Sequence, residues 1–276
     1  MSEQVAAELY LDLLKRSLTG MLAREEHWPL RSTDRVRRAL AATVDRVLPS
    51  DLALVRRRPL DLVARTAGTG PPPPHAETMV GLERLDNVHR CIRDVLEHDV
   101  PGDLMECGVW RGGVVVFMRG ALAAYGDAAR RVWAADSFAG LPKPDGERYP
   151  ADTGNDLWTD PDLAVSLANV QTTFERYRLL DERVRFIEGW FRDTLPGAPV
   201  ERLALLRLDG DMYESTMVAL QSLYPKLAMG GYVIVDDYQP KHPGCVRAVD
   251  EFLAEHGRGE ELQSAGAIGA YWQRAA

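Results

Sequence analysis

Two short stretches of this 276-residue chain put carboxylates where they could do chemistry. "LRLDGDMYES", Leu206–Ser215, places Asp209 and Asp211 directly after an apolar run, and "GYVIVDDYQP" closes another apolar run with Asp236 and Asp237. Four acids at the ends of two buried strands repel one another unless positive charge sits between them. Mg²⁺ is a suitable occupant, because it takes hard oxygen ligands in octahedral geometry and usually keeps some waters. If the two strands pair, Asp209, Asp236 and Asp237 converge, and they are the candidate metal ligands. Singly, "DD" reads as a solvated strand-to-loop junction and "DGD" as a turn; together, at adjacent strand ends, they point to a metal. Asp211 is left off the metal, either as the catalytic base or as a partner in the ion's outer sphere.

A second constellation lies earlier in the chain. "ECGVWRGG" follows one predicted strand and opens a helix, but Gly108, Gly112 and Gly113 do not have the spacing of a dinucleotide fingerprint. Its leading Glu106 would repel a pyrophosphate and would suit an ammonium group. No GxxxxGK[ST] loop occurs, which excludes a P-loop nucleotide site. The next strand ends on Asp136, an acid able to accept hydrogen bonds from both hydroxyls of a ribose. An ammonium site beside a ribose clamp, without a phosphate cradle, describes S-adenosylmethionine. The plain alternative for Gly108 and Gly112 is a tight turn with close packing.

The chemistry that unites both is methyl transfer to a hydroxyl. An alcohol is a poor nucleophile at neutral pH, and an aspartate with an ordinary pKa of ~4 is a weak base for it. A divalent ion stabilises the developing negative charge on oxygen. Asp211 can then take the proton. What remains is alignment of acceptor oxygen, methyl carbon and sulfur.

The elements that must position these residues are legible from Glu77 onward. Five short apolar segments, "LMECGVW", "RRVWAADSF", "RVRFIEGWF", "LALLRLDGD" and "GYVIVDDY", alternate with longer mixed ones. That alternation predicts an α/β fold, doubly wound on a mostly parallel sheet. Ligands of such sheets sit beyond the carboxyl ends of the strands, where this sequence has Glu106, Asp136, Glu188, Asp209 and Asp236. "ETMVGLERLDNVHRCIRDVLEHD" and "HPGCVRAVDEFLAEHG" read as helices, the latter with Pro243 in its first turn and Gly257 past its end. "GAIGAYWQR" reads as a closing strand. Upstream, the chain reads as helical and irregular, with "ELYLDLLKRSL" and "STDRVRRALAATVDRVLP" as helices. Gly68–His75, with four prolines in a row, is a linker or lid. The expected division is an N-terminal segment over residues 1–74 and a catalytic domain over 75–276.

Net charge of -8 and a pI of about 5.3 exclude a basic nucleic-acid footprint. Arginines cluster in "RSTDRVRR" and "VRRRP", best read as a solvated helix face. Cys91, Cys107 and Cys245 are odd in number and lack CxxC spacing, so reduced thiols are expected. With no signal-peptide pattern and no apolar run near the ~20 residues of a membrane span, the expectation is a soluble cytoplasmic protein.

Taken together, "LYLDLLKR", "HAETMVGLERLDNV", "GDLMECGVWRGG", "WAADSFAGLP", "VRFIEGWFRDTLP", "LALLRLDGDMYEST" and "GGYVIVDDY" resemble the macrocin and mycinamicin O-methyltransferases, the TylF type. The resemblance runs from about Leu9 to the end. It is weakest over roughly Met21–Pro74 and over "KPDGERYPADTGNDLWTDP". It implies a Rossmann-like class I methyltransferase, active as a homodimer or larger assembly, dependent on S-adenosylmethionine and Mg²⁺. Its implied substrates are small-molecule glycosides, methylated on a deoxysugar hydroxyl. Carried over by motif, the metal ligands fall on Asp209, Asp236 and Asp237 and the base on Asp211. The cofactor contacts fall on Thr78, Met79, Glu106, Cys107, Gly108, Val109, Trp110, Asp136, Ser137, Phe138, Ser166, Gly189 and Trp190. For Trp190 the alternatives are core packing and covering the adenine face. The changed segment before Pro74 bears on the choice of acceptor. His75, His89 and His242 either touch substrate or are exposed or satisfied histidines.

Two other readings stay in play. A catechol-type methyltransferase would share the metal logic but present ring-stacking aromatics and a lysine base; no lysine is evident at that place in the sequence. A subunit that binds S-adenosylmethionine without catalysis would have eroded acids, and all four are present.

Overall fold

The computed structural model describes residues 2–29, 55–256 and 259–275. The helix read in "STDRVRRALAATVDRVLP" and the stop at Gly257 lie outside the described residues.

The five apolar segments form parallel strands β3 (Asp103–Cys107), β4 (Val132–Asp136), β5 (Val184–Glu188), β6 (Leu203–Leu208) and β7 (Leu227–Val235). A small ribbon of β1 (Glu25–Pro29) and β2 (Val55–Pro59) precedes them, and a hairpin of β8 (Gln263–Ala265) and β9 (Gly269–Gln273) follows. The main sheet runs β5-β4-β3-β6-β7-β9-β8, with β9 antiparallel to β7. β6 and β7 pair in parallel with Leu208 opposite Val235, as the convergence of the aspartates requires. The single closing strand read in "GAIGAYWQR" is the second arm of a hairpin, because Gly266, with φ of 74°, lets the chain turn back at residues 266–268.

Helices α1 (Glu3–Leu18), α2 (Leu62–Ala67), α3 (Leu82–Glu97), α4 (Gly113–Ala124), α5 (Leu167–Arg176), α6 (Phe191–Thr194), α7 (Tyr213–Leu223) and α8 (Pro243–His256) complete the chain. The core has two layers, one on each face of the sheet. Leu11 and Leu18 of α1, Leu85 and Ile92 of α3, Phe117 of α4 and Val170 of α5 fill the first; Leu220 of α7 and Val249 and Phe252 of α8 fill the second. Each such side chain contributes ~1.5–3 kcal/mol by leaving water. Among the described residues no helix is long and apolar enough to cross a membrane.

Two readings of the N-terminal half change. The β1–β2 ribbon replaces helical and irregular chain, and "VRRRP", read as a solvated helix face, is its exposed second strand; a bidentate contact from Arg57 to Glu25, 2.7–2.8 Å, joins the two. The helix read from Glu77 starts only at Leu82. The buried Arg65 donates to the carbonyls of Thr78 (2.7 Å), Met79 (3.0 Å) and Val80 (2.5 Å), and also to Thr19 (2.9 Å), so a side chain serves the carbonyls ahead of the helix.

Candidate active site

In the main sheet the strand order reverses between β3 and β6, so a crevice opens at their carboxyl ends. Gly108 follows β3 with φ of 89°, and any Cβ there would overlap the carbonyl oxygen of Asp209. The donor-side loop and the aspartate loop are thus in backbone contact. Over this point lies a cavity of about 850 Å³, toward the upper end of the ~300–1,000 Å³ of small-molecule sites. Residues Gly68–Pro72 of the proline-rich stretch form part of its wall.

The acids meet in this cavity. One carboxylate oxygen from each of Asp209, Asp236 and Asp237 lies within 4.8 Å of the others. Positive charge does sit among them, and the chain itself supplies it. Arg207, 1% exposed near the carboxyl end of β6, contacts Glu106, Asp209 (2.9 Å) and Asp236 at once. Arg84 of α3 pairs with Asp236 from the other side. Five carboxylates, counting Glu106 and Asp211, therefore face two guanidiniums. Burial works against the charge on Asp236, yet Arg207 and Arg84 hold its pKa below the ordinary value. Burial, then the charges of Asp209 and Asp236, pushes Asp211 up to about 7. Burial, then Asp211 and Asp209, pushes Asp237 far above the carboxylate range. The cluster is short of positive charge.

The residues expected to hold the donor divide into two groups. Thr78, Met79, Glu106, Gly108, Val109, Trp110, Asp136, Ser137 and Trp190 line the cavity. Glu106 Oε1 accepts from Arg207, while its buried Oε2 has no hydrogen-bond partner, and burial pushes its pKa up to about 8. Asp136 accepts the Val109 N–H at 2.7 Å and the Phe138 N–H at 2.8 Å, so it braces the loop as well as facing the cavity. The others stand back from the wall. Cys107 alternates to the opposite core layer, and Phe138 packs edge-on against Phe186. Ser166 is spent capping α5 through Asn169 N–H, and Gly189 gives its N–H to the carbonyl of Asp136.

Residues 7–274 match the macrocin O-methyltransferase (TylF) family. The chain belongs to this family. Across the full length of both, it is 42% identical to mycinamicin III 3''-O-methyltransferase of Micromonospora griseorubida. It is 43% identical to 8-demethyl-8-(2,3-dimethoxy-alpha-L-rhamnosyl)-tetracenomycin-C 4'-O-methyltransferase of Streptomyces olivaceus, over 98% of this chain and 94% of that one. Against demethyldecarbamoylnovobiocin O-methyltransferase of Streptomyces niveus, identity is 50% over 73% of this chain and 77% of the relative. The solved structure of the O-methyltransferase NovP superposes with a TM-score of 0.83 at 41% identity, covering 98% of this chain and all of that one. The fold is that of a Rossmann-like class I methyltransferase, and the protein is an S-adenosylmethionine-dependent O-methyltransferase.

The family motifs do not mark every residue that reaches the site. Lys241 and His242, just before α8, line the cavity. His242 Nδ1 is 3.4 Å from Asp211 Oδ1, and burial, then Lys241, lowers its pKa. His75 instead bonds the carbonyl of Gly20 at 3.0 Å, and His89 is buried against Tyr125 at 2.6 Å. Lys241 corrects one expectation: a lysine does stand near the acids, so its supposed absence no longer separates a sugar acceptor from a catechol. The loop after Asp237 brings it there, a path the sequence does not disclose. Arg207 left one readable trace, a lone cation inside the apolar run "LALLRL".

Proposed function

We propose that this enzyme moves the methyl group of S-adenosylmethionine onto a sugar hydroxyl of a glycosylated natural product, with Mg²⁺ in the aspartate cluster. The observation that carries the reading is the cluster itself: three carboxylate oxygens within 4.8 Å, short of positive charge, in the cavity that Glu106 and Asp136 also face. An all-oxygen donor set suits Mg²⁺ rather than zinc or copper. The sugar acceptor rests on the relatives, whose names specify a mycinamicin, a rhamnosyl tetracenomycin and a novobiocin precursor.

Asp209, Asp236 and Asp237 would hold the ion, with Arg207 and Arg84 fixing two of them from behind. When bound, a divalent ion supplies charge that lowers the pKa of an adjacent hydroxyl. Glu106 Oε2 offers the donor's ammonium an unused acceptor, and Asp136 keeps lone pairs for a ribose. Trp190 supplies a flat apolar face for the adenine. Asp211, left off the metal and facing the cavity, is placed to accept the acceptor's proton. The same proposal includes the division at residues 74 and 75, a cytoplasmic setting that suits three buried free thiols, and a homodimer or larger assembly covering the exposed Val5, Leu9 and Leu13 of α1.

The test is incubation with methyl-labelled donor and a panel of glycosides, their aglycones and simple catechols, with and without EDTA. Label should enter a glycoside, disappear with EDTA and return with Mg²⁺. Labelling of catechols alone overturns the sugar acceptor, and labelling that survives full chelation overturns the metal.

A further inference from the structure

The stretch Lys143–Pro161 has no part in the chemistry above. In the structure it runs along one side of the cavity, and Leu141, Pro142, Leu157, Asp160 and Leu163 in and around it stand in the wall. At its middle is Asp152, 2% exposed. Its two oxygens accept the N–H groups of Tyr213 at 2.6 Å and Glu214 at 3.1 Å. These are the first amides of α7, which begins two residues after Asp211 and whose N-cap residue, Met212, offers no side-chain cap. Asp152 therefore caps, from a distant loop, the helix that emerges from the aspartate turn.

The junction is built closely on every side. Gly244 of α8 lies against Asp152 Oδ1, and a Cβ there would overlap it. The Tyr149 ring lies 5.9 Å from that of Tyr213, whose hydroxyl donates to Glu251 of α8 at 2.7 Å. Beyond the junction, Trp110 Nε1 of the donor loop donates to the carbonyl of Asp162 at 2.9 Å. The stretch is thus fastened at both the aspartate turn and the donor loop.

We propose that Asp152 is a positioning residue, locking this wall of the cavity to the start of α7, and that the wall holds the acceptor relative to Asp211. The proposal rests on Asp211 acting as the base. A carboxylate that meets two free amides at a helix start is favoured both as a cap and by the helix dipole. Without it, the wall and the turn lose their common fastening, and a displacement of ~1 Å at a reacting centre can cost ~100-fold in rate.

Asp152→Ala, Asp152→Asn and Gly244→Ala are compared with the unaltered protein by donor titration calorimetry, by steady-state kinetics on an accepted glycoside, and by amide hydrogen exchange over residues 209–216. For Asp152→Ala the expected result is a ~10–100-fold loss of kcat/KM for the acceptor, with donor Kd changed less than ~2-fold. Exchange at Tyr213 and Glu214 should speed up at least ~10-fold, in line with the loss of a helix cap. Asp152→Asn, keeping one acceptor oxygen, should fall between, and Gly244→Ala should reproduce the pattern from the other side. Acceptor kinetics unchanged in folded Asp152→Ala overturns the proposal, as does an equal loss of donor affinity, which marks general destabilisation. If no glycoside is methylated by the unaltered protein, the proposed function fails. The exchange and donor arms then still decide whether Asp152 holds the turn, and unchanged exchange overturns it.

Discussion

Arg207→Met tests whether the chain's own cation holds the acid cluster together. The guanidinium is 1% exposed and faces Glu106, Asp209 and Asp236, so its removal leaves three carboxylates facing one another with Arg84 paired to Asp236 alone. Removing one partner from a buried ion pair costs ~3–5 kcal/mol. At ~2–4 °C per kcal/mol for a domain of about this size, Tm should fall by ~6–20 °C in EDTA. Mg²⁺ should restore part of this. An ion present at 100 times its Kd adds ~2.7 kcal/mol, or ~5–11 °C. The variant has one resident cation fewer, so its magnesium-induced shift should exceed that of the unaltered protein. Differential scanning fluorimetry of both proteins, across a magnesium series, measures the two effects together. A drop of less than ~2 °C, or a magnesium shift no larger than the unaltered protein's, would refute the claim that Arg207 and the ion share one electrostatic task.

Other consequences can be checked separately. Asp211→Asn should lower kcat/KM by ~10²–10⁴-fold, the usual worth of a general base, with donor Kd unchanged; retained turnover would remove Asp211 as base. The raised pKa of Asp211 means that the folded, metal-free protein prefers it protonated, so its contribution to stability is whole below pH ~4 and lost as pH climbs through about 7. Thermal melts in EDTA should therefore show the unaltered protein losing ground to Asp211→Asn between pH 5 and 7.5; parallel curves would count against the shift. Gly108→Ala must fit a Cβ onto the Asp209 carbonyl at φ of 89°. It should cost more than ~2 kcal/mol and weaken donor binding at least ~10-fold by calorimetry, backbone strain alone being worth ~1–3 kcal/mol.

What the sequence disclosed and what it withheld divide along a physical line. The parallel sheet was legible because the central β6 is apolar but for Arg207 and buried throughout, and the segments flanking it are short and mostly apolar; the edge strand β5, with Arg185 and Glu188 exposed, showed it less clearly. The acids were legible because they follow those runs directly, and the β6–β7 pairing made their convergence real. The positive half of the site was mostly hidden, the lone Arg207 in "LALLRL" being its one trace. Arg84 reaches Asp236 across 152 residues and Arg207 reaches Glu106 across 101, and neither separation leaves a local pattern. The β1–β2 ribbon was invisible because "EEHWP" and "VRRRP" show no alternation of apolar and polar residues. The late start of α3 goes with Arg65, a residue outside the helix whose head group holds the carbonyls of Thr78, Met79 and Val80.

Arg65 also limits how the molecule can be shortened. One planar head group grips four main-chain oxygens, at Thr19, Thr78, Met79 and Val80, and a lysine in its place could not span them all. A truncated chain beginning at His75 would retain every acid and every donor-facing side chain. It would lose the brace that shapes Thr78 and Met79, and it would bare the core that Leu11, Leu14 and Leu18 now cover. Such a fragment should keep the reagents of catalysis without the rigidity to use them.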